Sequence, residues 1–432
     1  MQLPSIAFLY EKFKNNPSVQ TDTRKLKSGD IYFALKGPNF NGNLFAMAAL
    51  EAGASFAVVD EEIPNSEAFD QQLFQVTDVL TTLQDLAKHH RQQFNIPFLA
   101  ITGSNGKTTT KELIAAVLSS HFKTYTTIGN LNNHIGVPLT LLSVKSDAQM
   151  AVIEMGANHL HEIQSYCQYA MPNYAMITNC GKAHLEGFGS EEGVKKGKGE
   201  LFDYVRAHHG TAFVMHDYDY LNKMSLGIKT VITYGNLSGD LQGSAENMNG
   251  LLKVVFTKGT SIDIIQTQLV GEYNLPNVLA AVCIGQYFKV PIDKIKKAIE
   301  NYAPSNSRSQ LTSWHNNKVI LDAYNANPSS MKVAIDNFSK LETTNKIICL
   351  GGMKEMGSDS FKEHQAIIDQ LQQTNWSKVI LVGNEFKACA HAYEFFDNVL
   401  AAKKWWVEQN YENHTILIKG SRGIQMEQLI AD

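Results

Sequence analysis

The sequence predicts an α/β protein of three domains with mostly parallel sheets. Three observations carry that expectation. Short apolar runs, FLAIT (98–102), AQMAVIEMGA (148–157) and YAMITNCG (174–181), alternate with longer stretches of helical spacing. Such alternation means parallel strands joined by crossover helices. A glycine-rich turn, GSNGKT (103–108), joins one strand directly to one helix. A polar segment, APSNSRSQ (303–310), interrupts the pattern, which then restarts.

Taken in order, GDIYFALKG (29–37) and ASFAVVD (54–60) read as strands flanking a helix in NLFAMAALEAGA (43–54). A helix in VLTTLQDLAKHHRQQF (79–94) follows, and Pro97 closes this first unit. The central unit opens on FLAIT, continues into the helix KTTTKELIAAVLSSHF (107–122), and holds an antiparallel excursion in LLKVVFTKGTSIDIIQTQL (251–269). Two helices, NLPNVLAAVCIGQYFK (274–289) and PIDKIKKAIENY (291–302), end it. KVILDAYN (318–325), KIICLGG (346–352), KVILVG (378–383) and HTILIKG (414–420) are the strands of a smaller, Rossmann-like third unit. The expected domains are 1–97, 98–305 and 306–432.

Bulk properties narrow the function classes. The chain has 432 residues, 44% of them apolar and 19% charged, and a net charge of −4. There is no basic excess of the kind nucleic acid demands. No run approaches the ~18 apolar residues of a membrane span. The N-terminus lacks the pattern of a signal peptide. The five cysteines (Cys167, Cys180, Cys283, Cys349 and Cys389) are odd in number and widely spaced, which suits free thiols in a reducing compartment. The expectation is a cytoplasmic, monomeric protein acting on small molecules.

The turn at 103–108 departs from the usual phosphate-loop spacing, G-x-x-x-x-G-K-[ST]. Ile101 stands where the first glycine belongs, and the glycine is at 103. The chemistry is intact nonetheless. Gly103 and Gly106 let backbone N–H groups turn toward an anion. The helix from Lys107 adds its N-terminal dipole. Lys107 can reach β- and γ-phosphates, and the Thr108 hydroxyl can ligate Mg²⁺. Glu154 ends a buried strand and, at the C-terminal edge of a parallel sheet, is placed to hold Mg²⁺. Read alone, His184 is a loop histidine, and Lys195, Lys196 and Lys198 are solvated helix lysines.

TGSNGKTTTKE (102–112) resembles the ATP loop of the Mur ligases, the ATP-dependent amide-forming enzymes of peptidoglycan precursor synthesis. Folylpolyglutamate and cyanophycin synthetases look similar here, so the loop alone indicates a superfamily. TIGNLNNHIGVPLTLL (127–142), EMGANHLHEI (154–163), ITNCGKAHLEGFGSEEGVKKGKGELF (177–202), LDAYNANPSSM (321–331) and KGSRGIQME (419–427) together resemble the branch that adds D-alanyl-D-alanine. TDTRKLKSGDIYFALKGPNFNGNLFA (21–46) resembles that branch's UDP-binding domain.

The resemblance implies a three-domain fold: an N-terminal UDP-binding domain, a central ATP-binding phosphate-loop domain and a C-terminal ligase domain. It implies that ATP phosphorylates the carboxylate of UDP-N-acetylmuramoyl-tripeptide, and that D-alanyl-D-alanine displaces the phosphate. By the same resemblance, Gly103, Ser104, Asn105, Gly106, Lys107, Thr108 and Thr109 cradle ATP. Asn274 and Asn277 meet adenine, with Tyr273 where many members carry histidine. Arg308 and Asp322 contact the nucleotide from the third domain. Two Mg²⁺ ions are implied, held by Thr108, Glu154, His184 and a CO₂-derived carbamate on Lys198. The catalytic set is then Lys107, Glu154, His184 and Lys198. Thr21, Thr23, Arg24 and Lys36 are expected at the UDP group, and Asn130 and Asn133 at the muramyl peptide. Tyr324, Asn325, Asn327, Lys419, Ser421 and Arg422 are expected around D-alanyl-D-alanine, Arg422 or Lys419 pairing with its carboxylate. Two alternatives stay open: a sister ligase adding one amino acid, and a nucleotide-binding module without ligase chemistry. The third residue of the tripeptide, diaminopimelate or lysine, is likewise open.

Overall fold

A computed structural model describes residues 4–305 and 307–431. Residues 1, 306 and 432, where three of the expected domain limits fall, lie outside the described residues. The chain forms two compact units. The first contains the chain up to Ile101, Phe122–Gly156 and Glu162–Ala175. The second contains Thr102–His121, Ala157–His161 and the chain from Met176 onward.

In the first unit, the strands Val19–Gln20, Ile31–Phe33, Phe56–Val59 and Leu73–Gln75 lie side by side in that order, all parallel. Tyr32, Ala57 and Val59 bury one face of this sheet against Ala46, Ala49 and Leu50 of the helix Ala46–Glu51. The helix Val79–Arg91 is capped by Asp78, whose side chain accepts from Thr81 N at 2.6 Å. At its other end Arg91 is buried, yet its guanidinium donates to the carbonyls of Phe94, Ala170 and Met171 and lies 3.7 Å from the Phe98 ring centroid. A buried cation so satisfied avoids the desolvation penalty that an unpartnered one would meet. The same unit holds the parallel strands Thr124–Thr126, Met150–Glu154 and most of Phe98–Thr102, with Ile101 opposite Glu154.

In the second unit, Thr211–Met215 and Thr230–Gly235 are parallel. The predicted antiparallel excursion is present as Leu251–Lys258 and Ile264–Val270. A further strand, Leu241–Met248, precedes it. Its sequence, LQGSAENM, is too polar for a periodicity argument to find.

The four strands expected in the third domain are Asn317–Asp322, Lys346–Gly351, Lys378–Val382 and Thr415–Lys419. Sheet order is Gln310–Trp314, Asn317–Asp322, Thr415–Lys419, Lys346–Gly351, Lys378–Val382, Glu394–Phe396. Only the first pair is antiparallel. Both faces are buried, as a parallel sheet requires. Ile348 and Leu350 pack with Met331, Ile335 and Phe338, while Ile347 and Cys349 pack with Val319, Ile418 and Trp406. The chain leaves Asn317–Asp322 and returns beside Thr415–Lys419. Asp322, Lys419 and Gly351 therefore end neighbouring strands at one carboxyl edge, where α/β sheets bind ligands. No helix among the described residues is long and apolar enough to cross a membrane.

Candidate active site

The turn between Phe98–Thr102 and the helix Lys107–Ser119 depends on its glycines. Gly103 has φ +143°, and a Cβ there would lie 2.0 Å from Thr178 Oγ1. Gly106 has φ +79° and starts the helix; its Cβ would lie 2.9 Å from Asn277 Oδ1. Ile101 lies wholly buried in the strand, opposite Glu154, so no turn is needed at that position. The shortened spacing thus moves the bend two residues later.

The segment after Tyr174–Ile177 clamps the loop from outside. Ser104 N donates to Asn179 O at 2.8 Å, Asn105 N to Asn179 Oδ1 at 3.0 Å, and Thr178 Oγ1 to Asn105 O at 2.7 Å. Ser104 Oγ accepts from Gly181 N at 3.0 Å. Lys107 Nζ donates to Gly103 O at 2.6 Å and Ser104 O at 3.2 Å, so the ammonium leans over its own loop. Thr108 is buried in the first helical turn, and Thr109 is half-buried.

Asn274 and Asn277 brace this helix. Asn277 Oδ1 accepts from Thr110 Oγ1 at 2.9 Å, its Nδ2 donates to Asn274 Oδ1 at 2.8 Å, and Asn274 Nδ2 donates to Val270 O at 2.8 Å. Tyr273 bonds Ser309 Oγ at 2.7 Å. Ser309 N in turn donates to Asp322 Oδ1 at 3.0 Å. Burial, and to a lesser extent Asp322, push the Tyr273 phenol well above its ordinary range, so it stays a neutral hydroxyl.

At the carboxyl edge of the third sheet, Lys419 is buried and donates to Asp322 Oδ2 at 2.5 Å. The Arg308 guanidinium lies 3.5 Å from the Tyr324 ring centroid, and that of Arg422 lies 5.9 Å from the same ring. Arg422 also pairs with Glu427 at 2.8 Å. Ser421 Oγ donates to Ala326 O and accepts from Lys354 N at 2.9 Å. Asn325 is exposed, its Oδ1 accepting from Ala326 N. Asn327 caps the helix Pro328–Ser339 in a capping box with Ser330. Its Nδ2 donates to Asn105 Oδ1 at 2.8 Å, which joins this segment to the phosphate loop.

Two further contacts join the same regions. Lys182 N donates to Ser329 Oγ at 3.0 Å, and Lys182 Nζ to Glu363 at 2.7 Å; that bond raises the Lys182 pKa. His184 Nδ1 bonds the Glu355 carboxylate, which this hydrogen bond holds below its ordinary pKa. Glu355 and Lys354 belong to MKEMG (353–357), which follows the strand and glycine pair of KIICLGG and was given no role from sequence. Its signal was available: a glycine pair directly after an apolar strand.

Glu154 is 1% exposed, with Oε1 accepting from Asn132 Nδ2 at 2.7 Å and its own N–H donating to Thr127 Oγ1. Asn132 was not singled out from sequence. Its neighbour Asn133 was, and its Oδ1 instead accepts from Ile135 N and Gly136 N in the turn that leads into the helix Gly136–Leu142. Asn130 is exposed. Lys198 is not a solvated helix lysine: it is 1% exposed, and Nζ donates to Ala157 O at 2.8 Å and lies 5.1 Å from the Phe188 ring centroid. The Thr108 hydroxyl and the Glu154 carboxylate are each hard oxygen donors, the type Mg²⁺ prefers. Lys198 as an ammonium cannot ligate, and only a carbamate would supply oxygen.

In the first unit, Asp22 caps the turn Thr23–Lys25 and pairs with Arg24 through two bonds of 2.9 and 2.8 Å, beside half-buried Thr21 and Thr23. Lys36 lies between Asp60 at 3.0 Å and Glu61 at 3.2 Å, which raise its pKa.

A phosphate loop built on this compact spacing and clamped by Thr178, Asn179 and Gly181 defines a nucleotide-binding scaffold. The Mur ligase middle domain matches residues 101–285, the Mur ligase glutamate ligase domain 307–422, and the Mur ligase family catalytic domain 17–91. The chain belongs to the Mur ligase family. Its relatives include the UDP-N-acetylmuramoyl-tripeptide--D-alanyl-D-alanine ligases of Bacillus subtilis (strain 168) and Escherichia coli (strain K12). The first is 32% identical and the second 33%, each across 96% of this chain and 92% of the relative. Among solved structures, MurF from Acinetobacter baumannii superposes with a TM-score of 0.87 at 29% identity, covering 96% of this chain and 92% of that one. The three-domain α/β fold expected from sequence is therefore the family's fold.

Proposed function

We propose that this protein joins D-alanyl-D-alanine to UDP-N-acetylmuramoyl-tripeptide, consuming ATP and releasing ADP and phosphate. The relatives bear that activity by name. The observation that carries it here is the Asn105–Asn327 hydrogen bond, which seats the segment expected to hold the amine substrate against the phosphate loop. Reading the chain as domains 1–97, 98–305 and 306–432 then assigns UDP, ATP and dipeptide in turn.

A carboxylate does not react with an amine at neutral pH, because its leaving group would be oxide or hydroxide. Transfer of the γ-phosphoryl group gives an acyl phosphate, attack by the dipeptide amine gives a tetrahedral intermediate, and phosphate departs. This chain's contribution is positioning and charge stabilisation. Gly103–Thr109 cradle the phosphates, with Lys107 turning from its loop carbonyls to the β- and γ-oxygens. Arg308 and Asp322 approach the nucleotide from the third domain, and closure of that domain completes the cradle. Thr108, Glu154, His184 and a carbamylated Lys198 would hold two Mg²⁺ ions, which when bound offset the phosphate charge. Carbamylation makes sense of a lysine buried this deeply: it replaces a cation beside divalent metals with an oxygen ligand.

ADP release measured with each substrate omitted in turn tests this function. Release is expected only with UDP-N-acetylmuramoyl-tripeptide and D-alanyl-D-alanine together. Release with a single amino acid in place of the dipeptide, or with no amine, would overturn it. Running the assay with tripeptides carrying diaminopimelate or lysine then reads the third-residue preference directly.

A further inference from the structure

We propose that Glu355 is a positioning residue for the ligation reaction: its carboxylate holds the His184 ring in one orientation and one tautomer, with hydrogen on Nδ1, so that Nε2 carries the lone pair offered to the reacting groups. The proposal rests on the placement of His184 in the active site made above.

Three observations lead to it. First, the contact is direct, His184 Nδ1 to a Glu355 carboxylate oxygen, and it joins residues 171 apart in sequence. An imidazole whose Nδ1–H is given to a carboxylate has its tautomer and ring plane fixed. Second, both residues adopt left-handed backbone conformations, His184 at φ +51° and Glu355 at φ +62°. Non-glycine residues take that conformation rarely, and it persists where the surroundings impose it, often at functional positions. Here two such residues face each other. Third, the backbone follows the side chains: Glu186 N donates to Glu355 O at 3.4 Å, and Lys182, two residues before His184, is held by Ser329 and Glu363. The loop carrying His184 is thus docked at several points on the third domain, and Glu355 is the point that reaches the imidazole.

The test uses the full-length protein with ¹⁵N-labelled histidine, the His184 signals being assigned by their loss in His184→Gln. In the wild type, without nucleotide or metal, His184 is expected as the Nδ1–H tautomer. In Glu355→Ala it should shift to the Nε2–H form or a mixture, and in Glu355→Gln, whose amide oxygen still accepts, it should stay. In turnover, Glu355→Ala should lower kcat about ten- to a hundredfold, the usual cost of losing such a partner. The three KM values and the unfolding midpoint should stay near wild type, and Glu355→Gln should recover most of the rate. An unchanged tautomer in Glu355→Ala, or an unchanged kcat, overturns the proposal. Full loss of activity in His184→Ala beside wild-type Glu355→Ala rejects Glu355 alone. Wild-type turnover in His184→Ala rejects the placement of His184 itself.

Discussion

The phosphate loop and the cationic surface of the first unit are both candidate phosphate binders, and they are built differently. In the loop, Lys107 leans on the carbonyls of Gly103 and Ser104, and the backbone around it is clamped by Thr178, Asn179 and Gly181. In the first unit, Arg24 is tied to Asp22, and Lys36 to Asp60 and Glu61. A phosphate arriving at Lys107 meets an ammonium held against the Gly103 and Ser104 carbonyls, directly over the loop that would cradle it. A phosphate arriving at Arg24 or Lys36 must compete with carboxylates already there. Preorganisation therefore favours transition-state stabilisation in the loop and reversible ground-state binding in the first unit.

Four measurements would break or sharpen this contrast. Lys107→Ala should lower kcat about a thousandfold, the scale of removing one preorganised charge from a transition state. A loss seen only in KM for ATP would erase the distinction. Gly103→Ala comes next. The added methyl would collide with Thr178 Oγ1, and alanine is strained at φ +143°. A loss of about a hundredfold in turnover is expected, with about 1–3 kcal/mol of destabilisation in chemical unfolding. A variant with wild-type activity would mean that the loop is not held as described. Arg422→Ala should raise the KM for D-alanyl-D-alanine about tenfold, the scale of one exposed charge-assisted bond, and spare the KM for ATP. An unaltered dipeptide KM would move the carboxylate partner to Lys419.

The smallest effect is a titration. The hydrogen bond to Arg24 is the main cause that lowers the Asp22 pKa from 3.8 to about 2. A carboxyl whose folded pKa is depressed contributes stability above its unfolded pKa, and that contribution fades as pH falls through about 2. In Arg24→Ala the Asp22 midpoint, followed by NMR, should rise toward 3.8. A midpoint that stays near 2 would show that the pair does not hold Arg24.

Much of this was legible in the residues, and the exceptions have physical reasons. Strands with two buried faces, such as KIICLG and FLAIT, declare themselves as apolar runs. Glycines needed for left-handed turns mark the loop. Leu241–Met248 escaped because its residues alternate imperfectly and are half-exposed. Lys198 looked solvated because nothing in a helical run of lysines says which one faces inward; the fold decides that. The contact of His184 with Glu355 spans 171 residues, and local spacing carries no information about such a pair. Asn132 and Asn133 show the finest limit. Adjacent asparagines are interchangeable on paper, yet one touches Glu154 and the other ties a backbone turn.

Cys180 lies in the segment that clamps the phosphate loop, and it would attract anyone seeking a covalent handle there. It is 8% exposed, and burial pushes its thiol up to about 12. The other four cysteines are also buried. Thiol-directed warheads need a thiolate they can reach, and all five thiols lie buried. The enzyme should tolerate oxidants and alkylating reagents well, and compounds that block it will have to win by fit and charge.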